Sequence, residues 1–297
     1  MCFCIISFVK NKLSPVNSLF SLFLYFCSKI FSFIEVSIPF ALSFILKDIF
    51  LFSSFKFINI YLGLFVKIFI TNAATDITLG STILAVTGEK AGGRKELSCF
   101  IVENGTEGFS QNIMKDKMMW RGSNTGELVL ENVRVHKSAM LGKQGEGFKQ
   151  MLSTLDRGRL SIAAMGLGLA QGAYELALKY SKERITFGKP ISSYQANAFK
   201  LADVEIGLEL SRNYLYDVCR MLEEGLNITK EGAIAKLHCS ELAHTSANHC
   251  VQIHGGYGLM KEYDAEKYYR DQKLLEIGEG TSEIQRLVIA RSIGCFD

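Results

Sequence analysis

A chain of 297 residues with a formal net charge of +3 can hold one large domain or two modest ones, and its charge gives no case for a nucleic-acid partner, which would want a clustered basic face. Eight cysteines lie scattered through mostly apolar runs, unlike a short cysteine-dense scaffold, so they read as reduced, buried thiols. Only three prolines interrupt the chain, which favours long helices.

Residues 1–66 are built from Phe, Ile, Leu, Ser and Lys, with no arginine before Arg94. After Val66 the composition becomes that of an ordinary soluble enzyme. Three readings of the first segment stand side by side. A secretory signal could run to about Cys27, although no small-residue cleavage site follows. A membrane anchor is possible in Phe31–Leu46 or Phe50–Phe65, but Glu35, Lys47, Asp48 and Lys56 interrupt both runs. The third reading is sequence foreign to the coding region, joined near Val66–Lys67. No identifiable chemistry is expected there under any of the three.

Residues 67–140 alternate as β-structure. Ser81–Val86, Leu97–Val102 and Glu127–Glu131 are short apolar runs bounded by turn-forming residues, and Gly88–Gly93 reads as the connection of a hairpin. So few strands suggest the remnant of a larger sheet with exposed edges. Residues 141–297 change to helical periodicity. Phe148–Tyr180, the stripe Leu201, Val204, Leu208, Leu215, Val218 and Leu222, then Lys230–His254, Asp264–Leu275 and Ser282–Ile293 all predict helices. Gly158, Gly166, Gly168 and Gly172 along the first helix imply close approach to a neighbour. The fold class is α+β: a partial β-domain followed by an antiparallel bundle of four-helix type.

Three stretches could carry chemistry. In Leu274–Arg286, Gly278 and Gly280 flank Glu279, and Ser282 with Gln285 fits a capping box that restarts a helix. That would present a carboxylate on a tight inter-helix loop, a posture suited to a general base; an ordinary solvated glutamate fits the same pattern. In Arg184–Gln195, an arginine beside Gly188-Lys189-Pro190 could hold a phosphate, or Gly188 could simply stop a helix. Gln252–Gly258 is a glycine-rich helix end open to a flat or phosphorylated ligand, or a plain C-cap. The residues His238, Cys239, His244, His249, Cys250 and His254 point several ways on one helix and lack Cys-x-x-Cys spacing, so no metal site is expected.

Taken in order, these motifs resemble the acyl-CoA dehydrogenase family from about Lys67 to the C-terminus. Phe69-Ile70-Thr71-Asn72 is similar to a Trp-Ile-Thr-Asn segment lying against the flavin, with Phe69 in place of the tryptophan. Phe100–Phe109 and Arg121–Thr125 resemble the family's middle β-domain. Leu155–Arg159 resembles its acyl-CoA contact region. The resemblance implies FAD as cofactor, held by Phe69, Ile70, Thr71, Arg184, Phe187, Gln195, Thr281, Ser282 and Glu283, with Gln252, Ile253, His254, Gly255 and Gly256 contacting it from a neighbouring subunit. It implies substrate contacts at Asp156, Arg159 and Gly280, and Glu279 as the catalytic base.

The implied reaction is α,β-dehydrogenation of an acyl-CoA to the trans-2-enoyl-CoA. Glu279, made more basic by an apolar pocket, would take the α-proton while the β-hydrogen leaves as hydride to the flavin. Electrons would pass to an electron-transfer flavoprotein, and the assembly would be a homotetramer. The compartment would be the mitochondrial matrix in a eukaryote or the cytoplasm in a bacterium. Isovaleryl-type relatives carry their base at the position of Gly158, so Glu279 sides with the short- and medium-chain group; oxidase relatives share fold and base. Two departures stand out. Gly278 replaces a frequent tyrosine, and neither the N-terminal helical domain nor the flavin loop of the family is visible before Lys67. The expected alternatives are an inactive truncated member that only oligomerises, and a membrane-anchored helical protein.

Overall fold

The computed structural model describes residues 78–123 and 125–296, together with the backbone of three strands, Ser7–Val9 (β1), Asn59–Leu62 (β2) and Val66–Thr71 (β3). The signal and anchor readings of residues 1–66 otherwise fall outside the described residues. Strands β4 (Thr78–Lys90), β5 (Arg94–Glu103), β6 (Phe109–Met114), β7 (Thr125–Leu130), β8 (Val133–His136) and β9 (Met140–Leu141) complete the β-region. One sheet runs β1-β4-β5-β9, a second β3-β7-β6, and β2 pairs with β8. Ile83, Phe100, Val102, Phe109, Leu128, Leu130, Val133 and Val135 bury themselves between these strands as one core.

The β4–β5 hairpin is tighter than its sequence suggests. Both strands continue to Lys90 opposite Arg94, and Gly88 lies inside β4, where the register shifts between Val86 and Gly88. An irregular pairing there suits a residue without a side chain, so Gly88 marks a bulge and not the start of the turn. Strand β6, whose Gln111 and Asn112 look unlike strand residues, forms the edge of its sheet by pairing with β7.

The helical region begins at α1 (Gly147–Glu183), pressed onto the sheet: a Cβ on Gly147 would lie 2.7 Å from the Ser98 backbone. A two-residue hairpin, β10 (Ile185–Thr186) and β11 (Lys189–Pro190), turns the chain into α2 (Gln195–Glu223). Next come α3 (Thr229–His254), α4 (Ala265–Asp271), α5 (Lys273–Ile277) and α6 (Ser282–Ser292). The α2 stripe is buried from Leu201 to Val218, with Leu222 half-buried. Helices α1 and α3 run parallel, with α2 antiparallel to both, and small residues line their seam. A Cβ on Gly166 would stand 2.8 Å from the Cys239 carbonyl oxygen, and the Ser246 hydroxyl donates to the Ala170 carbonyl.

Asp264–Leu275 is two helices, not one. The Asp271 carbonyl accepts the Trp120 indole N–H at 2.9 Å, and the Trp120 amide donates to its carboxylate at 2.8 Å. The next turn closes instead with a three-residue hydrogen bond from Leu275 to Gln272. Buried thiols hold at Cys99, Cys239 and Cys250, while Cys219 is half-buried and Cys295, beyond the end of α6, is exposed. Among the described residues no helix is long and apolar enough to cross a membrane.

Candidate active site

The loop between α5 and α6 bends because its backbone has little choice. Gly278 leaves the helix in an extended conformation (φ −65°, ψ 151°), and Glu279 and Gly280 then both take positive φ, 53° and 95°. The unusual backbone therefore falls on the glutamate itself, a conformation that persists in a non-glycine residue only where its surroundings enforce it. Here they do. The fully buried Lys236 donates from Nζ to the Gly280 carbonyl at 2.8 Å. Buried Gln285 donates from Nε2 to the same oxygen at 2.9 Å and to the Glu279 carbonyl at 3.2 Å. Ser240, one turn beyond Lys236 on α3, donates to the Leu275 carbonyl at 2.9 Å.

The capping box expected at Ser282 and Gln285 does not form. Thr281 is the extended N-cap residue, and its hydroxyl accepts from the Ile284 amide at 3.4 Å. Ser282 is already helical and buried, its hydroxyl without a partner, and Gln285 is turned back onto the loop. Glu283 is exposed; its own backbone amide and the Thr281 hydroxyl hold its carboxyl below the usual carboxylate range.

Half-buried Glu279 faces α1. A Cβ added to Gly158 would come within 2.7 Å of its Oε2 and 3.1 Å of its Cδ, so positions 158 and 279 look into one site. The groups around it are basic rather than purely apolar. Arg159 is buried, pairs with Asp156 at 2.7 Å, and lies 3.5 Å from the Thr229 carbonyl. Burial lowers the Arg159 pKa, opposed by the charges of Asp156 and Glu279. Burial also takes Lys236 down to about 8, against the pull of Glu276, Glu279 and Glu283. Of the two expected acyl-CoA contacts on α1, Asp156 borders a cavity of about 230 Å³ between the start of α1 and the α2–α3 connection, lined also by Ser153, Arg157 and Asn227. Arg159 stands behind it in the ion pair.

The other expected ligand-binding residues lie elsewhere. The stretch of α1 from Gly158 to Glu183 is about 38 Å long at about 1.5 Å per residue. At its far end, Arg184 is exposed and extended, and Phe187, at φ 50° beside Gly188 at φ 83°, is 98% exposed on the hairpin tip. Gln195 opens α2 close by, also exposed. The end of α3 meets them there, since the His254 ring stacks on Tyr180 with centroids 4.2 Å apart. Ile253 and His254 are buried, whereas Gln252 is exposed and both Gly255 and Gly256 have open space where a side chain would be. Arg184, Phe187 and Gln195 are thus brought together with Gln252–Gly256, and no small ligand could touch both that end and Glu279 in one protomer. Phe69, Ile70 and Thr71 lie in β3, where Ile70 opposes Gly126 and Thr71 opposes Thr125; their side chains fall outside the described residues.

The arrangement fits FAD at each end. An uncovered aromatic ring, a guanidinium and open glycine backbone suit a flat, phosphorylated ligand at one. At the other, the N-terminus of α6 presents the orphaned Ser282 hydroxyl beside Glu279. Among the described residues no group of three or more His, Cys, Asp or Glu could hold a metal ion. Lys236 escaped the sequence reading, and Gln285 was placed there in a capping box instead of on the Glu279 and Gly280 carbonyls. The signal for Lys236 was faint: a lysine in phase with Ala233, Cys239 and Ala243 on the buried face of α3.

Residues 145–294 match the family model described as acyl-CoA dehydrogenase, C-terminal domain. The Bacillus subtilis protein named Probable acyl-CoA dehydrogenase YngJ is 49% identical over 227 residues, covering 76% of this chain and 59% of that protein. A chain solved in work on the electron transferring flavoprotein of Acidaminococcus fermentans superposes with a TM-score of 0.68 at 38% identity, over 73% of this chain and 59% of that one. Butyryl-CoA dehydrogenase from Megasphaera elsdenii gives 0.70 at 36% identity, over 79% and 60%. The chain thus spans about three fifths of the length of each.

Proposed function

We propose, from the premise that this chain belongs to the acyl-CoA dehydrogenase family, that Glu279 is the base of an acyl-CoA dehydrogenation yielding the trans-2-enoyl-CoA. The observation that carries this reading is the Glu279 carboxylate held against Gly158 on a loop whose carbonyls are fixed by Lys236 and Gln285. The thioester carbonyl acidifies the α-carbon. The α-proton passes to Glu279, and the electron pair it leaves closes the new C=C bond as the β-hydrogen departs. FAD, when bound, would supply the acceptor for that hydride, with an electron-transfer flavoprotein as the onward electron acceptor.

Glu279 acts by position: its backbone is locked, so the carboxylate is aimed before substrate arrives. Its own backbone amide is offered to the thioester carbonyl, where enolate charge develops. Asp156, on the cavity, contacts the CoA portion, and Arg159 holds Asp156 in place; Gly280, its carbonyl engaged by Lys236, lines the substrate. Thr281, Ser282 and Glu283 at the start of α6 hold the flavin on the Glu279 side, joined by the β3 segment Phe69-Ile70-Thr71. Arg184, Phe187, Gln195 and Gln252–Gly256 hold the flavin of a neighbouring protomer in an oligomeric active form, a reading supported by their distance from Glu279. Gly158 and the butyryl-CoA dehydrogenase relative favour short straight or simply branched acyl chains. The bacterial relatives favour the cytoplasm over the mitochondrial matrix.

The absorbance spectrum of the purified chain, before and after butyryl-CoA, tests this. Bound flavin that bleaches in the wild type, and bleaches at least about 100-fold more slowly in Glu279→Gln with flavin retained, is the expected result. A colourless oligomer would instead support a family member that assembles without turnover. Equal bleaching by both proteins would remove Glu279 as the base.

A further inference from the structure

We infer that Lys236 is the positioning residue of the Glu279 loop, its ammonium tethering the Gly280 carbonyl while serving as fixed countercharge to the Glu279 carboxylate. The inference rests on Glu279 being the base, and deepens it. A lysine with no exposed surface is unfavourable unless its charge is paired and hydrogen-bonded. An apolar side chain of similar length would fill the space without that penalty, so packing alone is no reason for an ammonium at this position.

What the ammonium supplies is visible in the loop. Lys236 and Ser240 sit one turn apart on α3 and grip the two ends of the Leu275–Gly280 segment, at the Gly280 and Leu275 carbonyls. Gln285 donates to Gly280 as well, so that carbonyl carries two donors and its direction is fixed. With Gln285 also donating to the Glu279 carbonyl, both peptides that follow Glu279 are fixed around its positive φ of 53°. The charges facing Lys236 come from four places: Glu276 on α5, Glu279 on the loop and Glu283 on α6 favour the ammonium, and Arg159 on α1 opposes it. With burial included, Lys236 titrates at about 8, so it is mainly cationic at neutral pH. Gln285 holds the same carbonyl without any charge, which leaves the electrostatic part of the task to Lys236.

Two variants of the full chain separate tether from countercharge. Lys236→Met removes both, whereas Lys236→Gln keeps an N–H donor and removes the charge. Amide hydrogen exchange is read first, because it needs neither flavin nor turnover. Lys236→Met should speed exchange of residues 278–282 at least about tenfold with α1 and α3 still protected, and Lys236→Gln should fall between it and the wild type. The pH profile of the acyl-CoA half-reaction is read second. In both variants the acid limb of that profile should move to higher pH, since a cation facing the base has gone. Wild-type exchange in the loop together with an unmoved limb would overturn the role of Lys236. Altered exchange in a chain whose wild type shows no dehydrogenation counts against Glu279 as base and leaves the tether standing.

Discussion

Gly158→Ala sets two terms of known size against each other. In the interior of α1, replacing glycine by alanine stabilises the helix by about 1 kcal/mol. The new Cβ, however, would stand 2.7 Å from Glu279 Oε2 and 3.1 Å from its Cδ, and the carboxylate must retreat by about 0.7 Å to restore ordinary contact. Driving its side chain off a staggered well by that much costs about 0.5–1.5 kcal/mol. The two terms nearly cancel, so the unfolding free energy should change by less than about 0.5 kcal/mol. Activity has no such compensation. A base displaced by about 0.7 Å is expected to lose roughly 10- to 100-fold in the chemical step. Denaturant unfolding of Gly158→Ala, Glu279→Ala and the double variant isolates the contact. Once Glu279 is truncated, the alanine should give its full stabilisation of about 1 kcal/mol. If Gly158→Ala stabilises equally in both backgrounds and leaves flavin reduction at the wild-type rate, the shared site at positions 158 and 279 is wrong.

Three further outcomes are expected. Lys236 is lowered from 10.5 to about 8, so the unfolded chain binds the extra proton between those values, and stability rises with pH across that window by about 3 kcal/mol in total. Urea midpoints for wild type and Lys236→Met at pH 8 and pH 10 check this, the variant losing the rise. Arg159→Met leaves Asp156 without its buried partner and should lower the unfolding free energy by about 3 kcal/mol; a guanidinium titration showing less than about 1 kcal/mol would argue that the pair is dispensable. Thr281→Ala removes the α6 N-cap, whose bond at 3.4 Å is long, and should cost about 0.5 kcal/mol by thermal melting.

The long helices were legible because their burial follows the 3.6-residue period: the α2 stripe emerged residue by residue. So was the Gly278-Glu279-Gly280 loop, since two glycines around a carboxylate have few other uses. What stayed hidden depends on contacts remote in sequence. The break after α4 is made by Trp120, far up the chain, taking the Asp271 carbonyl. Lys236 falls in phase with the buried face of α3, but its charge argues for solvent, and the partner that resolves the conflict lies on another element. The α6 cap was displaced by one residue because Thr281 and Ser282 are chemically equivalent caps, and only the backbone decides which of them is extended. Strand β6 is polar because it lies at a sheet edge, where packing imposes little alternation.

Helix α1 also works as a gauge. It carries Asp156, Gly158 and Arg159 near one end, delivers Arg184 and Phe187 at the other, and runs between them without interruption. Each residue inserted or deleted in that span would slide one end by about 1.5 Å and rotate it by about 100° against the other. The seam with α3 could not absorb the slip, because Gly166 meets the backbone of Cys239 and would be replaced there by a larger neighbour. Substitutions along the outer face of α1 leave this gauge intact. Its residue count is far less negotiable than its spelling.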